Sequence, residues 1–386
     1  LVRDARSKNL DLNPRMSAPR DGFDLVLTID EIIQYIAERE LEKAFRTSRA
    51  RGASIVVMDP ATGAILAMAN RPTFDLNHPS GAGKEQMRNR AVCDMFEPGS
   101  VFKIVTAAAA LQEAKVDERS RFFCENGEYR FASHTLHDHR PHGWLTFREV
   151  IEQSSNIGTC KVAQLVGPEM LYRYIKAFGF GSKTGIDLPG EIPGKVKEVR
   201  RWSKTSITAV PMGQEVCVTS LQLACALSVI ANGGTLLKPY IVAEIRDPRG
   251  QAIEVSGPQV VSERVLSPET CARVRKLLIG AIESGTGKMA RMDDFTAAGK
   301  TGTAQKVESN GTYSHDKFIA SFIGFAPAEN PAAVIVVTVD EPRGTYFGGT
   351  VSAPVFKNVA GEIIKYLKAK QKTVDIVSLD ETFSSR

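Results

Sequence analysis

The residue pattern predicts an α+β fold: a central, mostly antiparallel sheet flanked by helices, with an all-helical subdomain set into it. Two observations carry this expectation. Apolar, β-rich runs occur near both ends of the chain, at Ser54–Met58 and Ala64–Ala69 and again at Phe318–Phe325 and Ala332–Val339. Between them, over roughly residues 100 to 290, helical periodicity dominates.

Residues 1–22 are polar and irregular and end in Pro19-Arg-Asp-Gly22, which reads as the end of an N-terminal linker or pedestal region. Residues 23–370 then read as one domain and 371–386 as a C-terminal tail. Thr28-Ile-Asp-Glu31 has the form of a capping box, and the stripe Ile32, Ile33, Ile36, Ala37, Leu41, Ala44 and Phe45 predicts a helix to about Arg46 that packs on a sheet. Asp59-Pro-Ala-Thr-Gly63 supplies turn residues between the first two strands. A strongly apolar helix follows at Ser100. Arg121–Cys124 and Glu128–Phe131 read as short strands, and Thr146-Phe-Arg-Glu149 as a second capping box. Helices are expected at Gly158–Leu165, Pro168–Phe178, from Thr219 to Asn232, from Ser267-Pro268 to about Ser284, and at Val355–Leu367.

Composition bounds the function classes. The 386 residues are 43% hydrophobic and 24% charged, enough apolar material for a large core and too much for a disordered chain. The 49 basic residues exceed the 44 acidic ones by only five, and no stretch joins Lys and Arg with aromatics as a nucleic-acid surface would. No run reaches the ~18 apolar residues of a membrane span, and no signal-peptide pattern opens the chain. Because Leu1 is not an initiator methionine, the chain reads as a fragment or processed form. The six cysteines show neither zinc nor redox spacing, and nothing in that spacing pairs them.

The chemistry concentrates in three short segments. Ser100-Val-Phe-Lys103 puts a hydroxyl and an amine on one face at the mouth of an apolar helix, so Lys103 is expected to reach the Ser100 hydroxyl. Serine needs a neighbouring base to become a nucleophile, and burial lowers an amine's pKa towards that task. Ser154-Ser155-Asn156 follows the second capping box, and Lys300-Thr301-Gly302-Thr303 lies among sheet-like neighbours. No Gly-x-Ser-x-Gly elbow of an α/β-hydrolase is present.

These three segments, in this order, resemble the motif set of penicillin-binding proteins and serine β-lactamases. Ser54–Ala69, Asn89-Arg-Ala-Val92, Glu97-Pro-Gly-Ser100, Met212-Gly-Gln214, Ala231-Asn-Gly233 and the stretch from Gly348-Gly349 to Pro354 extend the likeness over roughly residues 20 to 370. The chain is thereby identified as similar to the transpeptidase domain of class B penicillin-binding proteins, monofunctional peptidoglycan D,D-transpeptidases. The resemblance implies the penicillin-recognising fold and a serine acyl-enzyme. In that reading Ser100 is the nucleophile, Lys103 the base, Ser154 a proton relay to the leaving nitrogen, and Asn156 an amide for Lys103 and a substrate carbonyl. Lys300 adds a charge that favours neutral Lys103 and attracts the substrate carboxylate; Thr301 and Thr303 offer hydroxyls to that carboxylate, and Gly302 lets substrate backbone approach. The backbone N–H groups of Ser100 and Thr303 are implied as the oxyanion hole.

The implied partners are peptidoglycan stem peptides, β-lactam antibiotics, and a membrane glycan polymerase with the division machinery reached through regions outside this chain. The implied location is the extracytoplasmic face of the cytoplasmic membrane, anchored by an N-terminal helix. Ser154-Ser155-Asn156 resembles septal or sporulation enzymes more than elongation ones, and the reading leans to septal division. A β-lactamase of class A would need a Glu-x-x-Leu-Asn sequence, which is absent, and a non-catalytic scaffold would not need all three segments. No cofactor is expected. His134, His137, Asp138, His139 and His142 offer metal-binding atoms, but their spacing fits no compact structural-zinc signature, and Pro141-His142-Gly143 resembles a family turn. No metal is assigned to them.

Overall fold

The strand Gly52–Met58 (β1) is buried at every position, with Ile55 and Val57 in one apolar cluster and Val56 and Met58 in another. A strand covered on both faces needs a continuous apolar run rather than an alternating one, and this is the pattern the sequence carries. β1 is the fourth strand of a five-stranded sheet completed by Ile65–Arg71 (β2), Ala298–Val307 (β3), Tyr313–Ala326 (β4) and Ala333–Asp340 (β5), in the order β3-β4-β5-β1-β2. Every pairing is antiparallel, with Lys300 opposite Ile323, Phe322 opposite Val337, Val337 opposite Ile55 and Val56 opposite Met68. The strands thus come from both ends of the chain, as the residue pattern predicts. The computed structural model describes residues 21–308 and 310–384, with side chains as far as residue 371. The linker reading of residues 1–22 falls almost wholly outside them.

One face of the sheet is covered by Glu31–Ser48 (α1), through Ile33, Ile36, Ala37 and Leu41, and by Ala353–Ser384 (α7), through Phe356, Val359, Ile363 and Ile364. Burying each of the Ile, Leu, Val and Phe side chains among these contributes about 1.5–3 kcal/mol. α1 is capped by Asp30, whose carboxylate accepts from the N–H groups of Ile32 and Ile33, and not by Thr28. The Thr28 hydroxyl instead donates to the carbonyls of Ile65 and Tyr240, tying the chain before the helix to the sheet. The terminal helix read at Val355–Leu367 is the front part of α7.

The other face carries the helical part: Lys103–Gln112 (α2), Phe147–Glu152 (α3), Asn156–Val166 (α4), Ser220–Ala231 (α5) and Pro268–Glu283 (α6). α5 is buried at every one of its positions, and α2 from Lys103 to Leu111. Helices apolar all round belong inside a core. The capping box before α3 forms as read, Thr146 Oγ1 accepting from Glu149 N and Thr146 N donating to Glu149 Oε2. This part also holds hairpin strands, Glu128–Phe131 paired with His134–His137, so it is mainly rather than wholly helical.

The chain forms two compact units. The larger, residues 28–241 and 257–386, contains all three motif segments. In the smaller, Asp24–Leu27 and Ala252–Val255 flank Val242–Arg246 in an antiparallel three-stranded sheet. Reading residues 23–370 as a single domain does not separate this small sheet, because its strands are only four to five residues long and carry no distinct composition.

Candidate active site

Ser100 lies in a short 3₁₀ turn, Gly99–Phe102, that leads directly into α2. Gly99 takes a left-handed φ of 58°, and a Cβ placed on it would stand 2.9 Å from the carbonyl oxygen of Thr303. Glycine is therefore required twice over, by conformation and by space. It lets the turn press against β3 so that Ser100 and Thr303 become neighbours across the join. Gly302 serves the same approach from the strand side. A Cβ there would meet Ser321 Oγ at 2.3 Å, Val101 at 2.9 Å and the Pro98 carbonyl at 3.0 Å. The face of β3 at Gly302 is thus packed against Ser321 and the nucleophile turn.

Lys103 opens α2 and is fully buried. Its Nζ donates to the Ser154 carbonyl at 2.6 Å, the Ser154 hydroxyl at 3.2 Å and Asn156 Oδ1 at 2.8 Å. Those three acceptors use its three N–H groups. Among the described residues no hydrogen bond joins Lys103 to the Ser100 hydroxyl, contrary to the direct contact expected from the three-residue spacing.

Lys300 approaches the same hydroxyl from the sheet. It too is fully buried on β3, and its Nζ donates to Ser154 Oγ at 2.8 Å and to the Thr301 carbonyl at 3.4 Å. Ser154 Oγ therefore accepts from two lysines, leaving its own proton to point elsewhere. Ser154 holds a left-handed φ of 60°, a conformation costing a non-glycine residue on the order of 1 kcal/mol or more. The bonds from Lys103 to its carbonyl and hydroxyl hold it there.

Burial lowers the Lys103 pKa to about 7, against the opposing attraction of the Asp138 carboxylate. Burial also holds Lys300 well below an ordinary lysine, with the charge of Lys103 as a second cause. Of the two expected causes, burial and repulsion from Lys300, burial is the one that dominates at Lys103. With one hydroxyl between them, the two amines titrate as a pair, and a doubly protonated pair is disfavoured near neutrality.

In the sequence Asp138 stands out only as one of the metal-binding groups among the histidines; the structure gives it a different place. Its Oδ1 accepts from the N–H groups of Asn156 at 2.5 Å and Ile157 at 3.0 Å, and its Oδ2 from the Ser155 hydroxyl at 2.6 Å. Ser155 in turn caps α4 by accepting from Gly158 N. A carboxylate at a helix N-terminus is favourable on both hydrogen-bonding and dipole grounds. Here it comes from a hairpin rather than from the preceding residue. The Asn156 amide donates to the His137 carbonyl at 2.8 Å, so one of its two N–H groups is already engaged.

Thr301 and Thr303, two apart on β3, share a face. Thr301 is buried with its hydroxyl 2.7 Å from that of Thr286, and Thr303 Oγ1 accepts from Gly348 N at 3.0 Å. β3 stands last in the sheet order, and among the described residues its other edge pairs with no strand. An extended peptide could add there. Among the described residues no three His, Cys, Asp or Glu side chains are grouped to hold a metal ion, and the six cysteines are free. His139 packs its ring 4.9 Å from that of Phe347.

Residues 53–361 match the family model described as the penicillin-binding protein transpeptidase domain. The chain is 39% identical over 374 residues to the stage V sporulation protein D of Bacillus subtilis, covering 96% of this chain and 58% of that one. It is 37% identical to a protein named probable peptidoglycan D,D-transpeptidase PenA from Neisseria flavescens, covering 93% of this chain and 87% of that one. Several curated relatives are thus considerably longer than this chain. Among solved structures, penicillin-binding protein 3 of Mycobacterium tuberculosis complexed with aztreonam matches with a TM-score of 0.85 at 36% identity, over 90% of this chain and 80% of that one. The chain belongs to the penicillin-binding protein transpeptidase family.

Proposed function

We propose that this chain is a peptidoglycan D,D-transpeptidase that crosslinks stem peptides through an acyl-enzyme at Ser100. The observation that carries the reading is the meeting of two buried lysines on one serine hydroxyl, Lys103 at 3.2 Å and Lys300 at 2.8 Å from Ser154 Oγ, beside the turn that bears Ser100. Ser100 Oγ attacks the penultimate D-Ala carbonyl carbon, and its proton passes to neutral Lys103, directly or by way of Ser154. The peptide bond to the terminal D-Ala breaks, and the leaving nitrogen takes a proton from the Ser154 hydroxyl, which the lysine pair replenishes. An amine of a neighbouring stem peptide then attacks the ester carbonyl, forming the new amide and returning Ser100 as the hydroxyl. The N–H groups of Ser100 and Thr303 stabilise the oxyanion in both halves. Thr301 and Thr303 hold the substrate carboxylate on the open edge of β3, with Lys300 supplying positive potential behind them.

β-Lactams acylate the same serine and leave slowly. Solved structures of penicillin-binding protein 3 of Mycobacterium tuberculosis are complexes with aztreonam and ampicillin, which supports β-lactam binding here. The site faces the extracytoplasmic side, and the membrane anchor and the contacts with a glycan polymerase lie in parts of the protein beyond this chain. No helix among the described residues is long and apolar enough to cross a membrane. The asparagine at position 156 favours a septal or a sporulation role over elongation; septal crosslinking is the first reading, and the relative named for sporulation supports a sporulation role as the second.

Incubation with a stem-pentapeptide donor and an amine acceptor tests the activity. A crosslinked product that disappears in Ser100→Ala supports the proposal. Hydrolysis alone, together with penicillin turnover in seconds, would identify a β-lactamase or carboxypeptidase instead.

A further inference from the structure

The structure assigns Glu97 as a positioning residue that sets the turn on which Ser100 stands; the inference rests on Ser100 being the acylated residue. Glu97 lies three residues before Ser100, touches none of Lys103, Ser154, Asn156 or Lys300 by hydrogen bond, and yet is partly buried. The segment Phe96–Gly99 runs beside Gly213–Val218. Phe96 and Val218 exchange backbone hydrogen bonds at 3.0 and 2.9 Å, and Gly99 N donates to the Gly213 carbonyl at 3.2 Å. Between these two backbone joins the pairing would lapse. Glu97 closes the gap with its side chain, Oε1 accepting from Glu215 N at 2.9 Å.

Glu215 is itself in a left-handed conformation, with a φ of 58°, and such a residue persists only where its surroundings hold it. Its N–H is held by Glu97. Its carboxylate accepts from Ser206 Oγ at 2.8 Å and pairs with Lys197 at 3.2 Å. One side chain thus fixes the strained residue of the supporting loop and the stem of the nucleophile turn together. A shift of ~1 Å in a reacting group can cost on the order of a hundredfold in rate, so the turn has little freedom to give away.

The second carboxyl oxygen, Oε2, is buried and no aligned hydrogen bond reaches it, although the Tyr313 hydroxyl of β4 lies against the carboxyl. The groups facing Glu97 are Glu215 and Lys197 from the loop, Tyr313 from the sheet, and Cys217. Burial and the Glu215 charge raise its titration, while the Glu215 N–H and Tyr313 lower it. Such an environment asks for the reach and acceptor of a carboxyl group rather than for its charge.

Reach and charge separate in two variants. Glu97→Gln keeps the acceptor at the same distance and removes the charge; Glu97→Asp keeps the charge and withdraws the acceptor by one methylene. The acylation rate constant and the dissociation constant of the preceding non-covalent complex are measured for each with a chromogenic cephalosporin, well below the melting midpoint. The expected result is acylation within about threefold of the parent for Glu97→Gln, and a loss of about 10- to 100-fold for Glu97→Asp, with the non-covalent constant unchanged in both. Parent-like acylation by Glu97→Asp, equal losses in both variants, or a loss confined to the non-covalent constant would overturn the inference. Mapping the adduct to Ser100 in the unsubstituted protein checks the underlying site reading separately.

Discussion

The two walls that meet at Ser154 are built in different ways. The sheet wall, Lys300–Thr303, is a run of regular β3 whose register against β4 is continuous from Ala298 to Gln305. Alternation along the strand sends Lys300 and Gly302 to one face and Thr301 and Thr303 to the other without any special conformation. The helical wall, Ser154–Asn156, is an irregular turn with a left-handed serine, held by Lys103 on one side and by the carboxylate of Asp138 on the other. Backbone pairing makes the first wall, whereas a few side-chain hydrogen bonds make the second. The helical wall should therefore be the one that single substitutions disturb.

The largest expected effect comes from removing the amine that joins the helical wall to the nucleophile helix. Lys103→Ala should slow acylation by penicillin by about 10²- to 10⁴-fold, the usual range for loss of a general base. It should also release Ser154 from its left-handed conformation, which a crystal structure of the variant would record.

Next stands Asp138→Ala, which deletes an acceptor of three hydrogen bonds at the start of α4. A loss of about 2–4 kcal/mol in stability is expected, read as a lower melting midpoint, with acylation slowed about tenfold or more as Asn156 loses its anchor. An unchanged melting midpoint would mean that the helical wall does not depend on this hairpin.

The pH profile sharpens the contrast at a smaller scale. With Lys103 titrating at about 7, its neutral form should increase about tenfold between pH 6 and 8, and acylation should rise with it. The sign for stability follows from the same value. The folded pKa lies below the ordinary 10.5, so the unfolded chain binds more protons between about 7 and 10.5 and this group's contribution to stability grows as pH rises through that window. A stopped-flow acylation series over that range checks the first, and melting midpoints the second.

The smallest effect belongs to the sheet wall. Thr286→Val removes the hydroxyl 2.7 Å from Thr301 but leaves the strand pairing in place. Stability should change by ~1 kcal/mol and acylation by less than about threefold. A larger loss would show that the sheet wall also relies on its side chains.

Much of this arrangement is legible in the residues. The β-rich runs at both ends, the helical middle and the three motif segments can all be read from local patterns, since burial on both faces, capping boxes and apolar helices leave local signatures. The supports are harder to read. Asp138 caps a helix that begins eighteen residues later, and no periodicity links the two positions. Thr28 looks like a cap by type and spacing, but the neighbouring Asp30 takes that place because its carboxylate reaches two N–H groups. The three-residue spacing of Ser100 and Lys103 suggests contact, whereas three acceptors on Ser154 and Asn156, more than fifty residues away, hold the amine. The missing side chain at Gly302 also makes room for the turn around Pro98 and Val101, far away in sequence. In every case but that of Thr28 the deciding partner is distant in sequence.

The central claim, that this architecture serves an acyl transfer at Ser100, is tested most directly by intact-protein mass spectrometry after brief exposure to benzylpenicillin, followed by peptide mapping. The account predicts one penicilloyl group per chain, on the peptide containing Ser100, persisting for minutes and absent in Ser100→Ala. An adduct on another residue, or labelling that survives Ser100→Ala, would contradict it.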